Sequence, residues 1–159
     1  MATFDPNAFL DVTTDAQLDT RLPPTPVGEW LYECVEVKAR NNPQQQKDPT
    51  AAPLVLDFVW ESRDPALHAA ANRERLRVTQ SIFVTLQGNT IEAGEGKNTR
   101  LGALRAAVGQ NVAGQPWRPR MVVGQLAKLN ITHRADKTDP ELKYDNVTSV
   151  KPPYGESAA

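Results

Sequence analysis

The stretch that decides the fold is GEGKNTRLGALRAAVGQ, residues 94–110. Within it, Leu101, Leu104 and Val108 are spaced i, i+3 and i+7, so they share one face of an α-helix. Asn98 or Thr99 can cap the start of this helix, and Gly109 suits the left-handed residue after its end. Three segments of strand character precede the helix and two follow it. The predicted order is therefore three strands, one helix and two strands.

The five predicted strands alternate apolar and polar residues with the period of two that is typical of a half-buried strand. They cover residues 28–40, 54–61, 73–86, 124–134 and 142–150, with short helical turns expected after Asp5, after Asp64 and over 121–123. In the first strand the pattern predicts a buried face of Leu31, Val35, Val37 and Ala39. The buried faces predicted for the next three strands are Leu54, Leu56, Phe58 and Trp60; Leu76, Val78, Ile82, Val84 and Leu86; and Ala127, Leu129 and Ile131.

This order of elements is that of the OB-fold, a small Greek-key barrel. We therefore predict a mainly β protein built as a five-stranded OB-fold-like Greek-key barrel, with an extended N-terminal arm. The binding face of that fold lies on the second and third strands, between the loop that joins strands one and two and the loop that joins strands four and five. Here those loops are residues 41–53, which we expect to be mobile, and 135–141.

The chain divides into an N-terminal arm (1–26), the OB-fold-like domain (27–151) and a flexible C-terminal tail (152–159). The arm lacks a hydrophobic period, ends in several prolines and carries only scattered apolar anchors: Phe4, Phe9, Leu10, Leu18 and Leu22. It either packs along its own domain or reaches a neighbouring subunit, and the sequence leaves both open.

Composition is that of an ordinary globular protein: 159 residues, 40% hydrophobic and 23% charged. The single cysteine, Cys34, excludes an intrachain disulfide and favours a cytosolic setting. The net charge of −1 hides an asymmetry, because residues 1–61 hold 4 basic and 10 acidic side chains and residues 62–159 hold 14 and 9. A basic later half is either the footprint of a polyanion or surface charge paired within the monomer.

The third predicted strand carries the pattern most relevant to function. Arg73, Arg75 and Arg77 stand on alternate positions of its polar face, and Phe83 follows on the same face. Single-stranded nucleic acid is bound in this way, because cations contact the phosphates while an aromatic ring stacks on a base of any identity. Lys128 and Arg134 on the fourth strand, and Lys38 and Arg40 on the first, extend the basic face; weaker stacking candidates are Trp30, Tyr32 and Trp117.

The same arginines have an alternative explanation that needs no ligand. Asp57 and Glu61 lie on the polar face of the second strand, which is expected to pair with the third. Cross-strand pairs of arginine with a carboxylate would then account for the arginines. The pattern alone leaves both interpretations open.

The sequence offers little for catalysis, and we predict no enzyme, no metal and no cofactor. His68 and His133 are far apart, and neither stands beside Cys34 in a known nucleophile arrangement. No spacing matches a zinc site or a calcium loop. The segment GEGKNT departs from a phosphate-binding P-loop, because Gly94 and Gly96 are too close and Asn98 replaces Ser or Thr. This helix start either holds one anion on bare N–H groups or is a plain cap.

Several runs resemble a group of bacteriophage-encoded OB-fold proteins that bind single-stranded DNA: GEGKNTRLGALRAAVGQN, GQPWRP, VVGQLAKLNITHR, YDNVTSVKP and the opening FDPNAFLDVTTDAQLDT. The resemblance implies DNA replication or recombination in the host cytoplasm and brings no catalytic residues. One departure is the C-terminus, where such proteins often carry an acidic run and GESAA offers only Glu156. The acidic excess is at the other end, in Asp5, Asp11, Asp15 and Asp19.

The sequence hypothesis is therefore binding of single-stranded DNA without sequence preference, with replication or recombination proteins as further partners. The alternative is a virion structural protein, such as a head decoration or accessory protein, that uses the same barrel to contact capsid proteins. Neither hypothesis involves a membrane, and both allow a homo-oligomer formed through the arm.

Overall fold

The fold is built on one antiparallel sheet of five strands, which confirms a mainly β protein. The computed structural model describes residues 5–18 and 23–154, so Phe4, Leu22 and the end of the tail lie outside the described residues. The sheet strands are β1 (Gly28–Asn41), β2 (Leu54–Ser62), β3 (Arg77–Val84), β6 (Leu126–Ala135) and β7 (Lys143–Lys151). A small hairpin adds β4 (Leu86–Gln87) and β5 (Thr90–Ile91), and the helices are α1 (Pro65–Ala71) and α2 (Thr99–Ala107).

The order of strands in the sheet is β3-β2-β1-β6-β7, which leaves β3 and β7 as the two edges. These edges approach within 8 Å between Cα atoms, so the sheet curls toward a barrel. In the described part of the chain no hydrogen-bonded ladder joins β3 to β7, and the barrel is therefore not closed. The open line between the two edges is called the seam below.

The core fills the concave side of this sheet and is capped by α2. Tyr32, Phe58 and Trp60 are its largest fully buried side chains. The Trp60 indole donates to the side-chain oxygen of Gln80 at 3.2 Å, so this inward polar group has a partner. The predicted inward faces of β2, β3 and β6 are confirmed at Leu56, Phe58, Trp60, Val78, Ile82, Val84, Ala127, Leu129 and Ile131, which are all buried. Leu54 and Leu86 of the same prediction are only partly buried.

Helix α2 matches the sequence prediction along its apolar face but not at its start. Leu101 and Leu104 are buried in the core, and Gly109 takes the left-handed conformation expected after the helix, with φ of 72°. Asn98 stands at the predicted N-cap position, but it is left-handed, with φ of 50°, and its side chain makes no capping hydrogen bond. Its side chain instead bonds to the backbone of Thr85 and to the Glu92 carbonyl oxygen. Asn98 therefore attaches the helix start to the end of β3 and to the hairpin.

The predicted buried face of β1 is wrong before residue 35 but correct at Val37, and a β-bulge separates the two parts of the strand. Tyr32 and Cys34 are fully buried, whereas Leu31 is only partly buried and Ala39 is exposed. The pairing of β1 with β2 shifts between Cys34 and Glu36, which leaves Val35 as an extra residue. Because one extra residue reverses which face the following side chains occupy, Val37 returns to the core while Glu36 faces solvent. A strict alternation across residues 28–40 cannot describe such a strand.

The third strand is shorter than predicted and begins at Arg77. Helix α1 is followed by its C-cap Asn72, which is left-handed with φ of 53°, and Arg73 N–H bonds back to the His68 carbonyl. Arg73 and Arg75 therefore lie in the connection between α1 and β3. Leu86, expected at the end of the same strand, belongs to the hairpin.

The loop between β1 and β2, expected to be mobile, is folded around a buried side chain. Asn42 is 6% exposed; its side chain accepts from Gln44 N–H and donates to the Ala52 carbonyl. A 3-10 helix, Pro43–Gln46, follows it. The turns expected near Asp5, near Asp64 and over 121–123 are present as the 3-10 helix Pro6–Asp11, as α1 and as the 3-10 helix Pro119–Val122.

The end of the N-terminal arm is attached to the domain. Thr25 is buried, and both its N–H and its hydroxyl donate to the carboxylate of Asp145 on β7. The Trp30 indole donates to the Pro26 carbonyl oxygen at 2.9 Å. The contacts of the domain thus extend two residues before the boundary predicted at residue 27. Residues 5–18, by contrast, are exposed throughout.

Candidate nucleic-acid interface

A groove of about 320 Å³ runs along the seam between β3 and β7, and we call it the seam groove. Three arginines from separate elements line it: Arg40 at the end of β1, Arg100 in the first turn of α2 and Arg134 near the end of β6. One wall is formed by Thr79, Ser81 and Phe83 of β3, and the other by Asp145, Asn146 and Val147 of β7. The groove is therefore a polar, arginine-rich channel that follows the open side of the sheet.

Phe83 is the aromatic side chain exposed in this groove, and 52% of its surface is accessible. The alternation of β3 explains its position, because Ile82 and Val84 point into the core and Phe83 must point away. Its partner on β2 is Val55, which is fully buried. An exposed ring beside arginines is the arrangement by which bases of any identity are stacked while phosphates are neutralised.

The two carboxylates near the groove are already engaged by the protein. Asp57 accepts from Arg40 Nε at 2.8 Å and from the Ser81 hydroxyl. Burial alone would raise the pKa of the Asp57 carboxyl, but these hydrogen bonds outweigh it and the pKa is lowered. Asp145 is bound by Thr25. Arg40 is thus bonded to Asp57, and all three arginines of the groove are exposed.

A second group of arginines surrounds Glu61 at the far end of β2, and we call it the Glu61 cluster. Glu61 contacts Arg75 at 3.1 Å, Arg77 at 3.3 Å and Arg63 at 3.9 Å. The hydrogen bond from Arg75, with the nearby charges of the other two, lowers the pKa of the Glu61 carboxyl. The internal pairing that the sequence left open is therefore present, with Glu61 as the partner of Arg75 and Arg77, and Asp57 as the partner of Arg40 instead.

The remaining basic residues of the sequence hypothesis neither line the seam groove nor contact Glu61. Lys38 forms an ion pair with Glu36 of its own strand at 3.7 Å. Lys128 pairs in register with Leu31 of β1 and lies near Glu29, which is bonded to Lys151. Arg73 lines a shallow depression with His68, Asn72 and Glu74, and its Nε is buried without a hydrogen-bond partner among the described residues. The eight predicted residues therefore do not form one continuous face.

Of the weaker stacking candidates, Tyr32 is excluded because it is fully buried. Burial also raises the pKa of its phenol far above the usual range. Trp30 is partly buried and held by Pro26. Trp117 is partly buried beneath the guanidinium of Arg105, which lies 4.5 Å from the ring centroid.

His68 and Cys34 both have partners or surroundings inside the fold. His68 bonds through its two ring nitrogens to the carbonyls of Arg73 and Ser62, at 3.0 and 3.2 Å. Burial raises the pKa of the Cys34 thiol to about 11, so the thiol is protonated at neutral pH. Among residues 5–18 and 23–154, no group of three or more His, Cys, Asp or Glu side chains is placed to hold a metal, and no helix is long and apolar enough to cross a membrane.

Arg100 is the groove residue that the sequence interpretation missed. It stands next to Leu101, whose buried position was predicted, so the helix pattern places Arg100 off the apolar face. Nothing in the pattern relates that face to β3 or β7. The proximity of Arg100 to Phe83 depends on how α2 packs across the seam.

No protein-family model matches this chain, and a comparison with curated proteins finds no similar sequence.

Proposed function

We propose that this protein binds single-stranded DNA without sequence preference, with the strand lying in the seam groove. The observation that carries the proposal is one exposed aromatic ring, Phe83, in a groove lined by arginines from three elements. Arg100 and Arg134 contact phosphates and Phe83 stacks on a base. Arg40, fixed by Asp57, is a third phosphate contact.

We propose further that the sheet is an OB-fold-like barrel. Helix α2 falls between the third and fourth strands of the sheet in chain order, and the edges β3 and β7 approach each other. A partly open barrel of five strands is the architecture described for OB-folds that bind oligonucleotides. The resemblance to phage-encoded proteins supports a role in replication or recombination in the host cytoplasm.

The exposed arm supports a second candidate, a virion structural protein. Leu10 and Leu18 are 82% and 71% exposed, so the arm offers apolar side chains to a partner surface. In that case the arm binds capsid proteins and oligonucleotides do not bind.

The test is a titration of labelled oligo(dT), about 15 nucleotides long to cover one OB-fold site, followed by fluorescence anisotropy at two salt concentrations. Affinity of the wild type should fall with salt at a slope of about −0.7 per phosphate contact. Phe83→Ala should weaken binding by about 1–3 kcal/mol and leave the slope nearly unchanged, since stacking involves no counterions.

Two double variants separate the groove from the Glu61 cluster. Arg100→Ala/Arg134→Ala should weaken binding and flatten the slope by about 1.4, because two phosphate contacts are lost. Arg75→Ala/Arg77→Ala is the charge-matched control and should have the smaller effect, since Glu61 already holds these arginines. If the control loses as much oligonucleotide affinity as the groove variant, or more, the strand binds at the Glu61 cluster and not in the seam groove. If the wild type binds no oligonucleotide even at low salt, the DNA-binding proposal is rejected and the virion candidate is retained.

A further inference from the structure

A second and larger depression, of about 630 Å³, lies beside α2, and we call it the Trp117 pocket. It is bounded by the β4–β5 hairpin, the glycine-rich turn before α2, the helix itself and the loop that carries Trp117. Thr99 and Gly102 line this pocket, whereas Arg100 of the same helix lines the seam groove. Its volume falls within the range of about 300–1,000 Å³ that is usual for small-molecule sites.

The charges of the Trp117 pocket favour an anion. Lys97, Arg105 and Arg118 all line it, and Glu92 is the acidic residue among the described side chains of its wall. The ammonium of Lys97 lies 3.8 Å from the Glu92 carboxylate, so this pair offsets one charge and leaves two cations in excess. A concave wall with such an excess raises the local concentration of negatively charged ligands.

Trp117 and Arg105 share a hydrogen-bond partner, Gln110, in the same wall. The Trp117 indole donates to the Gln110 side chain at 2.8 Å, and Arg105 donates to the Gln110 carbonyl at 3.1 Å. Arg105 Nε, however, is buried and has no hydrogen-bond partner in the part of the chain that the structure describes. Because this atom is enclosed by the protein, a ligand in the pocket meets the positive charge of the guanidinium and not the Nε–H donor.

We propose that the Trp117 pocket binds a nucleoside monophosphate unit, either as a free nucleotide or as one residue of a nucleic-acid strand. Lys97 and Arg118 bind the phosphate, and the base packs against Trp117, where the side-chain amides of Asn111 and Gln115 reach its polar edge. The ligand combines the two features that the wall offers, an anion for the cations and a flat aromatic group for the indole. The Trp117 pocket does not include Phe83, so the proposal for this pocket does not depend on DNA binding in the seam groove.

Isothermal titration calorimetry of the full chain with deoxyadenosine monophosphate at low salt tests the proposal. The wild type should bind this nucleotide more tightly than either inorganic phosphate or deoxyadenosine, because only the nucleotide uses both parts of the pocket. Lys97→Ala/Arg118→Ala should weaken nucleotide binding about tenfold or more, since two charge-assisted contacts are lost. Both residues are exposed, so the fold should be retained, as a thermal melt would verify.

The matched control is Lys47→Ala/Lys137→Ala, which removes two exposed lysines that line neither depression. Its affinity for the nucleotide should stay within about twofold of the wild type, because distant exposed charges act weakly. No binding by the wild type, or an equal loss in the control and in the pocket variant, would overturn the proposal.

Phe83→Ala separates this site from the seam groove. It should leave binding of deoxyadenosine monophosphate unchanged, and a loss there would place the nucleotide in the seam groove and reject the pocket. Competition then identifies the natural source of the unit. If the nucleotide displaces labelled oligo(dT), the pocket belongs to the path of a strand; if it binds without displacing the oligonucleotide, the pocket is a separate site for free nucleotides.

Discussion

At the scale of single residues, two carboxylates and one asparagine organise the polar parts of this protein. Asp57 and Glu61 both stand on the outer face of β2. Asp57 is bonded to Arg40 and Ser81, and Glu61 is paired with Arg63, Arg75 and Arg77. Asn98 replaces the usual helix cap with hydrogen bonds to two other segments. In each case the residue joins elements that are separate in the sequence, so its loss affects more than its own element.

Acid should destabilise the protein through Asp57 and Glu61. The pKa of each carboxyl is lowered in the folded state, so its contribution to stability is complete above the ordinary carboxyl pKa and is lost as the pH falls through the lowered value. Urea unfolding of the wild type should therefore give a smaller free energy at pH 3 than at pH 6. Because the partner arginines are largely exposed, Glu61→Gln should cost only about 1 kcal/mol at pH 6.

The same substitution should reduce the pH dependence, since the amide that replaces the Glu61 carboxyl does not titrate. Glu141→Gln, which removes an exposed glutamate from the connection between β6 and β7, is the control and should keep the wild-type pH dependence. A wild-type pH dependence in Glu61→Gln would show that the cluster does not contribute to acid stability.

The left-handed conformation of Asn98 gives a second prediction. Asn98→Gly removes the hydrogen bonds to Thr85 and Glu92 but tolerates φ of 50°, whereas Asn98→Ala also strains the backbone. The alanine variant should be less stable than the glycine variant by about 1 kcal/mol or slightly more. Urea unfolding of the pair measures the difference, and equal stability would contradict a strained backbone at this position.

At the scale of elements, β1 and α2 decide how the core is filled. The bulge at Val35 lets β1 bury Tyr32 and Cys34 before it and Val37 after it. Helix α2 then covers the core near the seam with Leu101 and Leu104. The helix therefore contributes both to stability, through its buried face, and to the seam groove, through Arg100.

Leu104→Ala should destabilise the protein by about 2–5 kcal/mol, because it removes buried methyl groups and leaves a cavity. Leu104 is fully buried, which makes relaxation of the surrounding core difficult. Val112→Ala is the control, since Val112 is 45% exposed; it should change the free energy of unfolding by about 0.5 kcal/mol or less. A thermal melt of Leu104→Ala that matches the wild type would show that α2 does not support the core.

At the scale of the whole molecule, the arm and the domain meet at Thr25. The contacts of Thr25 with Asp145 lie directly beside the seam groove, because Asp145 lines it. The rest of the described arm, residues 5–18, is exposed and carries apolar side chains. We therefore expect folding of the domain to depend on Thr25 and not on residues 5–18.

Two shortened chains test this division. A chain that begins at Pro23 keeps Thr25 and should melt like the full chain. A chain that begins at Val27 loses the hydrogen bonds to the Asp145 carboxylate and should be less stable by about 1.5–3 kcal/mol, the usual range for hydrogen bonds to a charged group. Equal melting temperatures for the two chains would mean that Thr25 contributes nothing to stability.

The exposed arm should serve assembly. Light scattering of the full chain should give a larger mass than one protomer, and the chain that begins at Pro23 should be a monomer, since Leu10 and Leu18 are then absent. If both chains are monomers, the arm does not mediate self-association, and a contact with a different protein remains, as the virion candidate requires.

Most elements of the fold could be predicted from the sequence, because each depends on a pattern within one segment. The alternation of β2, β3 and β6 and the spacing of Leu101 and Leu104 identify side chains that are buried in the structure. The exposure of Phe83 follows from the same rule. The bulge at Val35 could not be predicted from this alternation, because the extra residue is visible only in the pairing of β1 with β2.

The tertiary structure alone decided which charges meet. The seam groove is lined by residues that are far apart in the chain: Arg40, Phe83, Arg100 and Arg134. They come together because the curled sheet brings β3 close to β7 and because α2 packs across the gap. Likewise, Glu61 forms ion pairs with Arg75 and Arg77 because the register of β2 with β3 places Glu61 opposite Arg77. Spacing along one element reports which face a side chain occupies, but the partner on that face is set by register and packing, which depend on distant residues.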